Sequence, residues 1–164
     1  MTPAAMTFLG LALVLTGSFM VATGRLVSGG WVIAAGSLLD GLDGAVARAS
    51  GRVTARGAFL DAAFDRIGEI AAFGGLAFYL EGNARLLLLI VLSVGGAMLV
   101  PYMRAKAEAE GLPGQGGLMG RPERLILFCL GLVTGYVEVM LWIFVVLVWL
   151  TAITRFLRSY RSIS

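Results

Sequence analysis

Asp40, Asp43, Asp61 and Asp65 are all the aspartates in this chain, and they fall in two pairs. The first two are three residues apart and the last two four apart. On a helix both spacings put the pair on one face, with Cβ atoms about 5–6 Å apart. Two neighbouring helices could then aim four carboxylates at one point. The surrounding segments are apolar, and a charged side chain at membrane depth costs about 2.5–3.5 kcal/mol on insertion scales. Two divalent cations would bring four positive charges and balance the four acids. Oxygen ligands without nitrogen or sulfur donors favour the hard ions Mg²⁺ or Mn²⁺. The plainer alternative is ion pairing, because Arg48 lies five residues after Asp43 and Arg66 directly follows Asp65. Such pairs would neutralise some acids without explaining two same-face pairs with glycines beside them.

Those glycines carry a second signal. Gly44 follows Asp43, Ala47 and Arg48 lie one turn on, and Gly57 sits one turn before Asp61. Glycine in a helix costs about 1 kcal/mol relative to alanine, and it is expected where a ligand or another backbone comes close. Membrane helices also use glycine for plain packing. A glycine beside each acidic pair, with an arginine on the same stretch, points to a phosphate-bearing ligand between the two helices.

The elements that must position these groups are membrane helices. Of the 164 residues 59% are hydrophobic and 14% charged, against about 45–50% and about 25% in soluble domains. Mean hydropathy is +0.90. An ordinary soluble globule is excluded. There is no histidine, so imidazole bases and histidine zinc sites are excluded. The single cysteine, Cys129, excludes disulfide scaffolds and cysteine clusters. Apolar runs extend from Met6 to Thr23, from near Trp31 into Asp40, from Phe59 to Leu80, and from Leu86 to Met103, the last continuing as helix through Glu110. The first lacks the basic flank of a signal peptide. A glycine-rich connection, Gly111 to Glu123, leads to a long stretch from Leu125 to Ile153. That stretch exceeds one span and is expected to fold back near Gly135-Tyr136. The expected fold is therefore an all-α integral membrane protein with six transmembrane helices, each of about 20 residues. No internal repeat divides it, and residues 1–164 read as one transmembrane domain.

An even number of spans puts both termini on one side. That side carries Arg48, Arg52, Arg56, Arg104, Lys106, Arg121, Arg124, Arg155, Arg158 and Arg161, and the other carries Arg25 and Arg85. The bias places both termini and the aspartates on the cytoplasmic face of the cell membrane. It also explains the pI of about 9.5 as a topology signal, with the bilayer and not nucleic acid as partner. Arg155, Arg158 and Arg161 need no role beyond topology.

Read as one string, Asp40-Gly-Leu-Asp43-Gly44-Ala-Val-Ala47-Arg48, eight residues, Gly57, three residues, Asp61, three residues, Asp65 resembles the D-x-x-D-G-x-x-A-R-x8-G-x3-D-x3-D signature of the CDP-alcohol phosphatidyltransferases. All eight fixed positions match, and six spans with the signature on the second and third is that family's plan. The resemblance implies transfer of a phosphatidyl group from a CDP-linked lipid to a small alcohol, with release of CMP. It implies that Asp40, Asp43, Asp61 and Asp65 hold two divalent metals per site and that Asp65 is also the general base. It implies that Asp43, Gly44, Ala47, Arg48 and Gly57 line the CDP-lipid site, with Arg48 on the diphosphate, and that the enzyme is a homodimer. A two-metal site suits in-line phosphoryl displacement, and arginine can bind phosphate through two donors.

Arg104-Ala-Lys106 and Arg121-Pro-Glu-Arg124 are similar to the branch of the family that makes phosphatidylinositol phosphate. There the acceptor is inositol 1-phosphate, and basic residues of this region hold its phosphate. The competing acceptor within the family is glycerol 3-phosphate, and the plainer account of these cations is topology. Family members usually carry an amphipathic interfacial helix before span one, then Pro-Asn ahead of a threonine. Here Met1-Thr-Pro3-Ala4 precedes Thr7, so that helix is expected to be absent, and Ala4 replaces the asparagine. Outside the family, an intramembrane prenyltransferase would space its aspartates differently on a much longer chain. An ion-coupled transporter would spread its acids along a route through the bilayer.

Overall fold

The structure is a computed structural model that describes residues 3–49, 54–112 and 116–162; of residues 3–5 and 43–49 it describes the helical backbone alone. Among the described residues there are six helices and no strand: α1 (Pro3–Ala22), α2 (Leu26–Ala49), α3 (Ala55–Tyr79), α4 (Ala84–Ala109), α5 (Arg121–Thr134) and α6 (Val137–Arg161). Local chemistry sets their ends. α1 stops at Gly24, whose φ of 86° few other residues adopt. The Gly24 N–H then reaches Val21 O and the Arg25 N–H reaches Met20 O, a Schellman closure. Thr54 caps α3 by accepting from the Gly57 N–H at 3.0 Å, and Asn83 caps α4 by accepting from the Leu86 N–H at 3.2 Å. Gly135, at φ 78°, turns the chain between α5 and α6, where the sequence places the fold-back.

The chain divides into two compact units, residues 1–82 with 132–135, and residues 83–131 with 136–164. In the first, α1 packs against both α2 and α3, which touch each other only slightly. The α1–α2 contact is backbone on backbone. A Cβ on Gly10 would lie 2.9 Å from Gly36 O, and one on Gly36 2.7 Å from Gly10 O. Seven residues along, Gly17 and Gly29 repeat the arrangement at 2.9 and 2.8 Å. Bare glycines on both helices let the two backbones approach this closely, a packing mode that small residues permit. On the other side of α1, a Cβ at Gly75 of α3 would sit 2.2 Å from Ser18 O.

That distance yields a test of the packing. Gly75→Ala gains about 1 kcal/mol of helix propensity, but the blocking atom is a backbone oxygen that cannot rotate away. Overpacking costs about 1–3 kcal/mol, so a net loss is expected. A lowered melting temperature in detergent checks it, and an unchanged or raised one would mean that α1 and α3 are not in this contact.

In the second unit α4 packs on α6. A Cβ at Gly96 would meet Val148 Cγ1 at 2.5 Å, and the Trp149 indole N–H donates to Leu92 O at 3.0 Å. Arg85 and Glu138 pair at 3.0 Å near the starts of the two helices, with the guanidinium 5.7 Å from the centroid of the Trp142 ring. Gly131 admits Met140, whose Cβ lies 2.5 Å from where a Gly131 Cβ would be.

Several boundaries differ from the sequence expectation. α2 starts at Leu26 and α3 at Ala55, because the Schellman closure and the Thr54 cap begin helices ahead of their apolar cores. The Gly111–Glu123 connection ends earlier, since α5 begins at Arg121 with Pro122 in its first turn. Arg121 and Arg124 are thus helix residues. α4 and α6 are long and apolar enough to cross a bilayer. α5, with 14 residues, extends about 21 Å at 1.5 Å per residue, against about 30 Å of hydrocarbon.

Candidate active site

α1 is the support on which the acidic residues of α2 and α3 are brought together. A Cβ at Gly10 would lie 3.2 Å from Asp40 Cβ, so the bare glycine lets α1 run directly against the aspartate. Asp40 is 7% exposed, and Asp61 and Asp65 on α3 are half-buried. One carboxylate oxygen from each of Asp40, Asp61 and Asp65 lies within 4.8 Å of the others. Phe8 of α1 meets Phe64 of α3 edge-on, with centroids 5.0 Å apart, bracing the turn that carries Asp61 and Asp65.

The spacing suits a cation. Oxygens on opposite sides of an Mg²⁺ or Ca²⁺-like ion stand about 4–5 Å apart at bond lengths of about 2.0–2.6 Å. The donor set is oxygen alone, which selects hard divalent ions. Arg66 approaches Asp65 Oδ2 at 3.8 Å and Glu69 Oε2 at 3.1 Å. Asp43, Gly44, Ala47 and Arg48 continue α2, and their side-chain placement lies outside the described residues.

Gly57 has a local explanation beside the expected one. Its N–H is the donor to the Thr54 cap, and a Cβ there would stand 3.1 Å from Thr54 Oγ1. Its place one turn before Asp61 in exposed helix is as the sequence implies.

The four cations assigned to the acceptor differ from one another. Arg104 pairs with Glu108 at 2.8 Å and Lys106 pairs with Glu110, each one turn on along α4. The hydrogen bond from Lys106 holds the Glu110 carboxyl below the usual carboxylate range. Arg121 is half-buried. Arg124 is 3% exposed and donates through Nη1 to Met119 O at 3.3 Å.

Two features escaped the sequence reading. The seven-residue glycine spacings, Gly10 to Gly17 and Gly29 to Gly36, were a readable signal for the α1–α2 contact that seats Asp40. Arg155, expected to serve topology alone, donates from Nε to Gly116 O at 2.7 Å and from Nη1 to Val100 O at 2.9 Å. Arg158 also lies on the glycine segment, its Nη1 2.3 Å from where a Gly116 Cβ would be. A flanking arginine that binds backbone looks, in sequence, like any positive-inside charge.

Comparison with known proteins agrees with the signature. The family model for CDP-alcohol phosphatidyltransferase matches residues 1–157. A phosphatidylinositol phosphate synthase of Mycobacterium marinum is 41% identical over 135 residues, 80% of this chain and 58% of that protein. The chain thus spans about three fifths of the length of that relative. An archaetidylinositol phosphate synthase of Pyrococcus horikoshii is 33% identical over 158 residues, 94% of this chain and 81% of that protein. The crystal structure of the Mycobacterium tuberculosis phosphatidylinositol phosphate synthase with CDP-DAG bound superposes with a TM-score of 0.90 at 32% identity. It covers 98% of this chain and 87% of that one. The same mycobacterial enzyme has been solved with manganese and citrate, again with a TM-score of 0.90. Signature, acidic cluster, family model and fold agree, and the chain belongs to the CDP-alcohol phosphatidyltransferase family.

Proposed function

We propose that this protein transfers a phosphatidyl group from a CDP-linked lipid to a phosphorylated small alcohol, inositol 1-phosphate, and releases CMP. The observation that carries the reading is the convergence of Asp40, Asp61 and Asp65 within 4.8 Å, on the two helices that hold the family signature. The relatives named for inositol phosphate lipids, bacterial and archaeal, support the acceptor. Asp40, Asp43, Asp61 and Asp65 would hold two divalent ions, Mg²⁺ or Mn²⁺. Such ions, when bound, stabilise the attacking and leaving oxygens of an in-line displacement. Asp65 takes the proton from the acceptor hydroxyl. Arg48 binds the diphosphate through its fork of donors, while Gly44, Ala47 and Gly57 leave room for the nucleotide to approach. Arg104, Lys106, Arg121 and Arg124 bind the acceptor's phosphate.

All six helices cross the membrane in this reading, the shorter α5 through local thinning of the bilayer. Residues 1–164 work as one transmembrane domain, both termini and the aspartates face the cytoplasm, and the enzyme is a homodimer. The ten-to-two bias of basic residues supports the orientation.

Release of CMP from CDP-diacylglycerol, with Mg²⁺ and either inositol 1-phosphate or glycerol 3-phosphate, tests the reaction. No CMP with either acceptor would refute it, and CMP with glycerol 3-phosphate alone would replace the acceptor. Arg124→Ala tests the phosphate site. A charge-assisted hydrogen bond is worth about 1.5–3 kcal/mol, so the acceptor KM should rise roughly 10- to 150-fold. The donor KM should stay near wild type. Arg25→Ala is the control, an exposed arginine of the α1–α2 connection.

A further inference from the structure

α2 and α3 each lean on α1 and hardly on each other. The distance from Asp40 of α2 to Asp61 and Asp65 of α3 is therefore set through α1. On the α2 side the contact is backbone against backbone. Gly10 faces the turn between Gly36 and Asp40, where a Cβ would stand 2.9 Å from Gly36 O and 3.2 Å from Asp40 Cβ. On the α3 side the space is filled by side chains. Phe8 meets Phe64, the residue before Asp65, and Val14 Cγ1 lies 3.2 Å from where a Cβ of Gly68 would be, one turn after Asp65. The three acids thus hang from two sides of one helix, and its thickness at Gly10 fixes how near Asp40 comes to the other two.

One added methyl shows what that thickness is worth. To bring a Gly10 Cβ from 2.9 Å to an ordinary contact of 3.4 Å from Gly36 O, α2 must move off α1 by about 0.5 Å. Mg²⁺ binds oxygen at about 2.0–2.1 Å in near-ideal octahedral geometry, whereas Ca²⁺ binds at about 2.3–2.6 Å and accepts irregular sites. A shift of this size is what separates the two ions. We infer that Gly10 is a positioning residue that sets the size of the cation the cluster takes, by holding Asp40 close to Asp61 and Asp65. The inference rests on the reading that these three acids share a divalent ion. Gly10 itself touches neither ion nor substrate.

The test is metal binding by the intact protein in detergent, without substrate. Dissociation constants for Mg²⁺ and Ca²⁺ come from the rise of the melting temperature with metal concentration. Gly10→Ala should weaken Mg²⁺ roughly 10- to 100-fold, as the loss of a residue that orients a metal ligand does. Ca²⁺ affinity should stay within about threefold. Gly17→Ala is the control for packing. It meets the same kind of obstacle, Gly29 O at 2.9 Å, about 10 Å further along α1. It should lower the metal-free melting temperature as Gly10→Ala does and leave the ratio of the two constants unchanged. Gly68→Ala, whose methyl meets only the Val14 methyl at 3.2 Å, should move the ratio the same way by less, and it decides the matter if Gly10→Ala does not fold. Mg²⁺ and Ca²⁺ weakened equally by Gly10→Ala, neither weakened, or a ratio moved as far by Gly17→Ala overturns the positioning role and leaves the metal site standing. A wild type that neither ion stabilises, or Asp61→Asn stabilised as much as the wild type, overturns the metal site and the positioning role together.

Discussion

Asp61→Asn should lower turnover by about three orders of magnitude and weaken divalent-metal binding in step. The substitution keeps the shape of the side chain and removes one negative ligand from a cluster whose oxygens lie within 4.8 Å. Metal-ion stabilisation of a phosphoryl transition state is worth several kcal/mol, and about 1.4 kcal/mol corresponds to a decade of rate. A second signature separates loss of metal from loss of fold. With three carboxylates this close, the metal-free protein carries like-charge repulsion, and a cation that binds only the folded state raises stability by about 2.7 kcal/mol at 100 times its dissociation constant. The wild type should therefore melt at higher temperature in millimolar Mn²⁺ than without it. Asp61→Asn should melt at or above the wild type without metal and respond little to its addition. Wild-type turnover by this variant at limiting Mg²⁺ would refute the two-metal reading.

How much of this was legible beforehand follows from where the information sits. The aspartate pairs were readable because a helix converts spacings of three and four into a shared face, whatever surrounds it. The fold-back at Gly135 was readable because the apolar stretch is too long for one crossing and a glycine interrupts it; the structure gives that glycine a φ of 78°. Helix starts were less legible. Thr54 and Gly24 act through backbone hydrogen bonds, while hydropathy registers only the apolar core further along. The support of Asp40 by Gly10 was missed because it joins residues 30 positions apart, and the partner of a small residue cannot be read from one helix alone. Arg155 was assigned to topology for a related reason. A positive-inside count treats every flanking cation alike, whereas Val100 O and Gly116 O become neighbours of this one only through tertiary folding. The four cations proposed for the acceptor show the same limit. Their sequence positions were alike, yet Arg104 and Lys106 are exposed and paired along α4 while Arg124 is buried against Met119.

Asp65→Asn should separate chemistry from donor binding. Asp65 stands one helical turn after Asp61 and shares the cluster with Asp40. It is also the acid nearest Arg66 in sequence, at 3.8 Å from its guanidinium. If its task is to take the acceptor's proton, the amide, which cannot act as a base, removes general-base catalysis worth about 10²–10⁴-fold. In the proposed reaction the CDP-lipid is held by the remaining ligands and the signature residues of α2 before the acceptor's proton moves. Its dissociation constant, measured with Mn²⁺ present and no acceptor, should thus change far less than the rate does. A residue that acts only in the transition state lowers kcat and kcat/KM together and leaves ground-state binding in place. The solvent can substitute for a missing base better as pH rises, so the variant's residual rate should climb with pH over a range where the wild type is flat. Donor affinity falling by the same factor as the rate, with no such pH dependence, would assign Asp65 to metal binding alone. The proton would then leave by another acceptor in the site, and Glu69, one turn further along α3 but held by Arg66 at 3.1 Å, is the first carboxylate to examine.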